Sequence, residues 1–412
     1  MKRREFLASG VAGSLAASSL KAAPGMTVMT AENNIRDAFP AMKDQVYLNA
    51  AGLMPMGRFT EAGMARYADY LRAGPLVNGN DYLQKMWSGL RGRFAGLVGA
   101  DADEIGLVHC TKAGEQIAID AVDDIRKGGN IVTNDLHFSG SLHNLVGLRK
   151  AGRDVRIVKA RDWQVPVEAM AKAIDDNTAL VTITLVSNIN GHLADAKAVA
   201  EIAHRHGALI YIDIIQAAGA VPLNLHDLDV DMAACSSYKW LYGVFGAGFV
   251  YVRKDLQGKR LRDRLYPGRV RYNYAPWTDQ VEAGAEEIQI RPADDASRYE
   301  AGHVNYMGYC MVYESLKFLE EVGVERALAH SVKLNRRLLE KINPKKYTCI
   351  SPDLDKSPMI TFLIKSPEGL REKLSEAKIS VSLSGNRIRV SPALFSTASD
   401  MDAIAAVMNG HE

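Results

Sequence analysis

The sequence has few cysteines, few tryptophans, no excess of one charge and no long apolar run in its body. Its four cysteines lie far apart without a Cys-x-x-Cys pair, which argues against a zinc knuckle or a dense disulfide framework. Fifty Lys and Arg against 48 Asp and Glu leave a net charge of +2, so the composition gives no sign of nucleic-acid binding. No segment after the N-terminus approaches the roughly 20 apolar residues of a membrane span, so we expect no stable membrane anchor. With 47% hydrophobic and 24% charged residues, the 412-residue chain has the composition of a folded protein.

Residues 1–25 have the layout of an export signal. The basic pair Arg3-Arg4 precedes a short, mildly apolar stretch that runs to Leu20, and small residues follow at Ala22-Ala23. The pair resembles a twin-arginine signal; the alternative is a disordered tail with a chance arginine pair. The pattern predicts a twin-arginine signal peptide over 1–25, the twin-arginine translocase as a partner during export, and a periplasmic protein.

From about residue 40 the chain alternates between strand-like and helical patterns. Apolar runs that are separated by helices favour a largely parallel sheet with both faces covered. The pattern changes near residue 300, where a helix is expected over 307–322 before shorter α and β units. We therefore predict a large domain over 40–299 and a smaller C-terminal domain over 300–412. The N-terminal segment 26–55 is an exception, since it can pack on the smaller domain. The strand-like runs of the large domain are 105–110, 130–133, 155–158, 179–186, 208–213, 232–236 and 248–252.

Lys239 stands just after one of these apolar runs and is followed by glycines, in the segment SSYKWLYG. An ammonium group that is removed from water loses proton affinity and becomes a nucleophilic amine. Such a lysine can form a Schiff base with a carbonyl cofactor. A lysine at a strand end that simply reaches solvent is the commoner arrangement, so Lys239 needs a second signal.

Asp213 provides that signal, 26 residues before Lys239 and at the end of another apolar run. Ligands bind at the carboxyl ends of strands in open α/β sheets. A carboxylate there can keep a pyridinium nitrogen protonated, which makes pyridoxal 5'-phosphate an effective electron sink. Asp213 alone could equally be a helix N-cap. Together with Gln216 and Lys239, it predicts a pyridoxal phosphate site.

At this point the chain resembles the class V aminotransferases of the pyridoxal-phosphate-dependent fold type I superfamily, which include cysteine desulfurases, isopenicillin N epimerase-like proteins and kynureninase-like enzymes. The resemblance runs from about Tyr47 to the C-terminus. It implies an α/β fold in which a mostly parallel, seven-stranded sheet is joined to a smaller C-terminal α/β domain. It also implies a homodimer. Three motifs carry the family resemblance: Asp213-x-x-Gln216, Ser236-x-x-Lys239 and Ile388-Arg389-Val390-Ser391.

The resemblance assigns the catalytic roles to Lys239, Asp213 and His137. Lys239 would form the internal aldimine, Asp213 would pair with the pyridine nitrogen, and His137 would stack on the cofactor ring. Gln216 would approach the ring oxygen and Asn188 would hydrogen-bond the 3-oxygen.

The resemblance also assigns phosphate and substrate contacts. The phosphate would meet the helix start at Ala113-Gly114-Glu115, where free N–H groups and the helix dipole favour anions. Ser236 would add a hydroxyl, Tyr238 stands where a histidine usually precedes the lysine, and His303 would come from the partner subunit. Arg389 would bind the carboxylate of an amino-acid-like substrate, assisted by Ala51 and Asn188. No metal is expected.

The residues leave the reaction open. Cysteine desulfurases use a mobile cysteine before the carboxylate-binding arginine, but no cysteine lies between Leu363 and Arg389, and Cys349 is expected to pack as an apolar residue. Transfer of the amino group or other chemistry at Cα is the first expectation, that is, a transferase of the aminotransferase class V type. An epimerase or a C–S or Cβ lyase is an alternative. A periplasmic enzyme that tailors a peptide or siderophore precursor, or a non-catalytic binding protein on this fold, also remains open.

Overall fold

In the computed structural model, residues 32–74, 81–262, 270–272 and 290–411 are described. The predicted signal segment 1–25 lies outside them. The described residues form twelve α-helices and fifteen strands. The helices are α1 (Glu32–Asp37), α2 (Arg58–Ala73), α3 (Asp81–Val98), α4 (Thr111–Ala121), α5 (Asp123–Arg126), α6 (Ser139–Lys150), α7 (Val167–Ala173), α8 (Ala196–Arg205), α9 (Tyr306–Val322), α10 (Val324–Lys341), α11 (Leu370–Glu376) and α12 (Ala398–Asn409).

Short 3₁₀ helices cover Pro40–Lys43, Ala102–Glu104, Lys254–Leu256 and Ala296–Tyr299. The strands are β1 (Val46–Tyr47), β2 (Ile105–Val108), β3 (Asn130–Asn134), β4 (Val155–Val158), β5 (Thr178–Thr184), β6 (Leu209–Asp213), β7 (Met232–Ser236), β8 (Gly248–Val252), β9 (Val270–Tyr272), β10 (Ile290–Pro292), β11 (Thr348–Cys349), β12 (Ile360–Leu363), β13 (Ile379–Ser380), β14 (Ser382–Ser384) and β15 (Arg387–Val390).

A seven-stranded sheet with the order β2-β8-β7-β6-β5-β3-β4 forms the centre of the fold. Strand β8 runs antiparallel to both of its neighbours, whereas the pairs from β7 to β4 are all parallel. The predicted α/β architecture with a mostly parallel seven-stranded sheet is therefore confirmed. The seven strand-like runs of the sequence correspond to β2 through β8.

Helices cover both faces of this sheet. Within β6, Ile210 and Ile212 belong to one hydrophobic core, while Leu209 and Tyr211 belong to a second core on the opposite face. Side chains alternate between the faces of a strand, so a strand that is buried on both faces is apolar at most of its positions. This burial explains why most of the strands are near-continuous apolar runs in the sequence.

The strand-to-helix junction after β2 differs slightly from the sequence expectation. The strand ends at Val108 and α4 begins at Thr111, before the predicted start at 113–115, with Cys110 in an extended conformation as its N-cap. The predicted helix over 307–322 is present as α9.

A second, antiparallel sheet with the order β11-β12-β15-β14 lies in the C-terminal part of the chain. The N-terminal segment joins this region, because β1 pairs in parallel with β13, the Leu48 N–H donates to the Ser380 carbonyl, and the Leu48 carbonyl accepts from the Ser391 N–H. Leu48 also lies in the core that this region forms with α10 to α12. The predicted domain boundary near residue 300 stays a prediction. Among the described helices, none combines the length and the apolar character that a membrane crossing requires.

Candidate active site

The candidate site lies where β5, β6 and β7 end. Asp213 is the last residue of β6 and Ser236 the last residue of β7, and Lys239 follows three residues later. Because the carboxyl ends of neighbouring parallel strands meet at one edge of the sheet, these side chains converge there.

Lys239 is buried, with 7% of its surface exposed. Burial lowers the pKa of its amine to about 8, which outweighs the opposing attraction of the Asp213 carboxylate. Its Nζ lies 5.7 Å from the centre of the Tyr238 ring, and that ring stacks on Phe245 at 4.3 Å. Tyr238 therefore forms an apolar wall beside the amine, which helps to keep water away from it.

The Asp213 carboxylate is also buried, with 3% of its surface exposed. Burial raises its pKa, while the neighbouring His137 ring, the charge of Lys239 and a hydrogen bond from the Ile215 N–H act in the opposite direction. That N–H donates to Oδ1 over 2.9 Å. A buried carboxylate is stable when a cation pairs with it, and a protonated pyridine nitrogen would be such a partner.

Gln216 joins the sheet edge to the N-terminal segment. Its Nε2 donates to the Ala51 carbonyl over 3.0 Å, and its Oε1 accepts from Trp240 Nε1 over 2.7 Å. The Ala51 N–H in turn donates to the Ser391 hydroxyl over 3.0 Å. Ala51 thus lies between the large sheet and the end of β15.

His137 and Glu115 form a buried pair. His137 is completely buried, and its Nε2 lies 3.1 Å from Glu115 Oε1. Burial raises the pKa of Glu115, but His137 and Lys112 outweigh that effect and lower it to about 2. Its carboxylate faces His137, whereas the backbone N–H groups of Ala113 and Gly114 donate to the Cys110 carbonyl.

The turn that leads into α4 is held by two hydroxyl groups. The Thr111 N–H donates to Ser236 Oγ and the Ser236 N–H donates to Thr111 Oγ1, each over 2.9 Å, and the two hydroxyl oxygens lie 3.0 Å apart. Thr111 was not among the residues identified from the sequence. Its signal was available, since it is a hydroxyl residue at the start of a helix that directly follows a strand.

Arg389 reaches the same region from β15. It is 7% exposed, and its Nη1 donates to the Asn188 carbonyl over 2.6 Å. Burial, together with the nearby charge of Arg387, lowers the pKa of Arg389 to about 10, so it remains a cation at neutral pH. Its buried Nε has no hydrogen-bond partner among the described residues. A buried guanidinium with an unused donor suits a carboxylate ligand.

His303 stands apart from this group. Its side chain is exposed, and its ring lies 6.4 Å from that of Tyr306. Within the described ranges, no hydrogen bond or ring contact links it to the Lys239 site. Its assignment to a partner subunit's site stays a prediction.

Another titratable cluster lies elsewhere in the chain. Asp101, Glu104 and His226 offer ligand atoms within 4.8 Å of one another. The Glu104 oxygens already accept hydrogen bonds from the backbone N–H groups of Asp101 and Lys254 and contact His226 Nε2. These contacts tie a helical turn to its neighbours.

The residues at the sheet edge fit pyridoxal 5'-phosphate. The buried Nδ1 of His137 and the buried Nε of Arg389 have no partner within the described part of the chain. Lys239 offers a weakly basic amine for an aldehyde, and Asp213 offers a carboxylate for a ring nitrogen. The hydroxyls at the start of α4 suit a phosphate. Fold and site thus define an α/β enzyme built around a carbonyl cofactor.

Comparison with known proteins identifies the family. The family model described as aminotransferase class-V matches residues 76–398, and the chain belongs to this family. The predicted cofactor, pyridoxal 5'-phosphate, is confirmed as that of the family.

Curated relatives carry two kinds of name. The chain is 29% identical over 321 residues to a probable cysteine desulfurase of Methanothermobacter thermautotrophicus, and the aligned region covers 76% of each chain. It is 26% identical over 297 residues to the uncharacterized aminotransferase YcbU of Bacillus subtilis, and the aligned region covers 72% of this chain and 75% of the relative.

Solved structures share the fold. The cysteine desulfurase CsdA of Escherichia coli superposes with a TM-score of 0.80 at 19% identity, over 92% of this chain and 98% of that chain. The cystine C–S lyase C-DES, in complex with its reaction product cysteine persulfide, superposes with a TM-score of 0.78 at 19% identity, over 90% and 99%. The predicted fold type I architecture is therefore confirmed.

Proposed function

We propose that this chain is a pyridoxal-phosphate-dependent enzyme that acts at Cα of an amino-acid-like substrate with a free carboxylate and transfers its amino group to an oxo-acid acceptor, which leaves the substrate as an oxo acid. One observation carries the proposal: the buried amine of Lys239 shares its site with the buried carboxylate of Asp213 and with the buried guanidinium of Arg389. Family membership and the family's cofactor support it.

The described side chains divide the work among them. Lys239 Nζ would hold the aldehyde carbon of the cofactor, and the same amine is suited to accept the proton from substrate Cα. Asp213 would hold the ring nitrogen in its protonated form. Arg389 would bind the substrate carboxylate through two parallel N–H donors. When bound, the cofactor supplies an electron sink for the pair that Cα retains after deprotonation.

The test uses the purified holoenzyme with a panel of amino acids and with matched amines that lack the carboxylate. Borohydride reduction should leave a pyridoxyl group on Lys239, and mass spectrometry in deuterated buffer should detect oxo-acid products from the amino acids only. Arg389→Lys should raise KM by about 10-fold or more at unchanged cofactor content, since a charged hydrogen-bond pair is lost. Arg387→Lys is the control on the same strand.

The proposal is overturned when no amino acid in the panel exchanges its α-proton or yields a product. A colourless protein that cannot be reconstituted would instead support the non-catalytic binding protein.

A C–S or Cβ lyase is the second candidate function. It is favoured by the names of the relatives and by the persulfide product recorded for C-DES. Elimination from a sulfur-containing amino acid requires the same proton removal by Lys239 and needs no cysteine of the protein, which accords with the absence of cysteine between Leu363 and Arg389. In the same panel, cystine or cysteine would then yield pyruvate, ammonia and a sulfur product, whereas epimerisation would return the amino acid with inverted configuration.

Two further proposals concern the assembled protein. We infer a homodimer, supported by the exposed His303 and by an aromatic surface groove that includes Tyr67, Trp87 and Tyr306. We also infer export to the periplasm by the twin-arginine translocase, supported by the order of sequence features in 1–25. A periplasmic enzyme that tailors a peptide or siderophore precursor fits the same chemistry.

A further inference from the structure

Both carboxylate oxygens of Glu115 already have hydrogen-bond partners in the protein, which a phosphate-binding role would not require. Its Oε1 lies 3.1 Å from His137 Nε2 and accepts from Thr182 Oγ1 over 3.3 Å. Its Oε2 accepts from Ser141 Oγ and from Lys112 Nζ, each over 2.7 Å. The residue is 1% exposed, so these four groups supply the surroundings of its carboxylate in place of water.

The charge of Glu115 decides which nitrogen of His137 carries hydrogen. With a pKa of about 2, the carboxylate is ionised at any pH at which the protein works, and an ionised carboxylate only accepts hydrogen bonds. The adjacent Nε2 must therefore carry a hydrogen atom. Nδ1 is left as the buried ring nitrogen without a partner among the described residues.

Glu115 is poorly suited to contact a phosphate directly, because two anions repel each other when they are buried side by side. Lys112, which is partly exposed, neutralises the side of the carboxylate that faces away from His137. The geometry therefore separates Glu115 from the phosphate turn, although both lie in the first turns of α4.

We propose that Glu115 is a positioning residue, which fixes the ring of His137 as its Nε2–H form and leaves Nδ1 as the nitrogen available to cofactor and substrate. This inference rests on the proposed function for the role of His137, and on the contacts above for the role of Glu115. In neutral histidine the hydrogen bond at one ring nitrogen sets the state of the other, and misplacing that hydrogen disables the ring as an acid or base.

The experiment compares Glu115→Gln, Glu115→Asp and the control Gln116→Ala in the holoenzyme. Gln116 is the exposed neighbour of Glu115 on α4 and bonds only to Asp120 in the described contacts. The first measurement is ¹⁵N NMR of histidine-labelled protein, in which His137→Asn identifies the signal of His137. Wild type and Gln116→Ala should show the Nε2–H form. Glu115→Gln should lose it, because an amide can donate to Nε2 as well as accept from it.

The second measurement is the exchange of the substrate α-proton with solvent deuterium, together with the bound cofactor per chain. Glu115→Gln should exchange about 100-fold more slowly at full cofactor content, and Glu115→Asp, which keeps the charge, should recover part of that loss. An unchanged His137 signal in Glu115→Gln would overturn the proposal. So would loss of cofactor from Glu115→Gln with a normal exchange rate in the loaded fraction, which is the behaviour of a phosphate ligand.

The NMR result separates this inference from the proposed function. If wild type exchanges no α-proton but Glu115→Gln still changes the His137 signal, the positioning role holds and the proposed reaction fails.

Discussion

Lys239 and Asp213 carry opposite charges, yet burial pushes both towards their neutral forms. It lowers the pKa of the lysine and raises that of the aspartate, although each charge stabilises the other. Removing two ions from water costs more than their mutual attraction returns when no further groups solvate them. The pair is therefore prepared for a ligand that pairs with the carboxylate and reacts with the amine.

The lowered pKa of Lys239 predicts when the apoprotein can react with its cofactor. The neutral amine is the nucleophile, and its fraction grows as the pH rises through about 8, well below the ordinary 10.5 of a lysine. The rate of covalent attachment of pyridoxal phosphate should therefore rise steeply between about pH 7 and about pH 9 and level off above that range. Stopped-flow absorbance of the apoprotein over this range measures it, with Lys239→Ala as the unreactive control. A rate that still climbs at about pH 10 would contradict the prediction.

At the scale of elements, helix α4 positions the candidate phosphate turn through close contact with β7. Gly114 lies in the first turns of α4 against the Ala234 side chain, and a Cβ added to Gly114 would lie 2.3 Å from Ala234 Cβ. The glycine is needed here for space. Thr111 and Ser236 exchange hydrogen bonds that join the same two elements. Any shift of α4 therefore also changes the position of their hydroxyl groups.

Gly114→Ala should therefore displace α4 from β7 and weaken the binding of pyridoxal phosphate. An overpacked core position costs about 1–3 kcal/mol, and we expect a comparable loss in cofactor affinity, measured by fluorescence titration of the apoprotein. Gly147→Ala in α6 is the matched control, since a Cβ there meets no atom within 4 Å and alanine favours a helix. Equal cofactor affinity in the two variants would show that the Gly114 contact does not hold the turn.

At the scale of the whole molecule, the site is assembled from three parts of the chain that are far apart in sequence. Arg389 of the C-terminal sheet bonds to the Asn188 carbonyl, and Ala51 of the N-terminal segment bonds to both Gln216 and Ser391. These contacts cross between the large sheet and the C-terminal region. Carboxylate binding and cofactor binding therefore depend on how the two regions meet.

A site that requires the whole chain to fold before it binds a cofactor is compatible with export in the folded state. We expect the variant with Arg3→Lys and Arg4→Lys to remain in the cytoplasm with cofactor bound, because it keeps the charge but loses the arginine pair of the signal. Cell fractionation and the absorbance of each fraction measure this. Lys21→Arg keeps the charge outside the pair and should leave export unchanged. Normal periplasmic levels of the double variant would refute the twin-arginine signal.

The sequence by itself determined the strands of the central sheet and the two residues at its reactive edge. Strands that are buried on both faces are near-continuous apolar runs, and such runs made β2 to β8 recognisable from the sequence. Asp213 ends such a run and Lys239 lies three residues after another, so both carry charge where burial is expected, which made them conspicuous. Both patterns involve only residues that are close together along the chain, so they can be recognised from the sequence alone.

Only the tertiary structure decided what the remaining polar groups contact. Glu115 and Thr111 lie one turn apart in α4, yet one faces His137 and Thr182 while the other faces Ser236. Their partners come from other strands and helices, and the direction of each side chain is set by how α4 packs on the sheet. The pairing of Arg389 with Asn188 likewise depends on the meeting of two regions 201 residues apart. A hydrogen bond is fixed by distances of about 3 Å in space, which sequence separation does not encode.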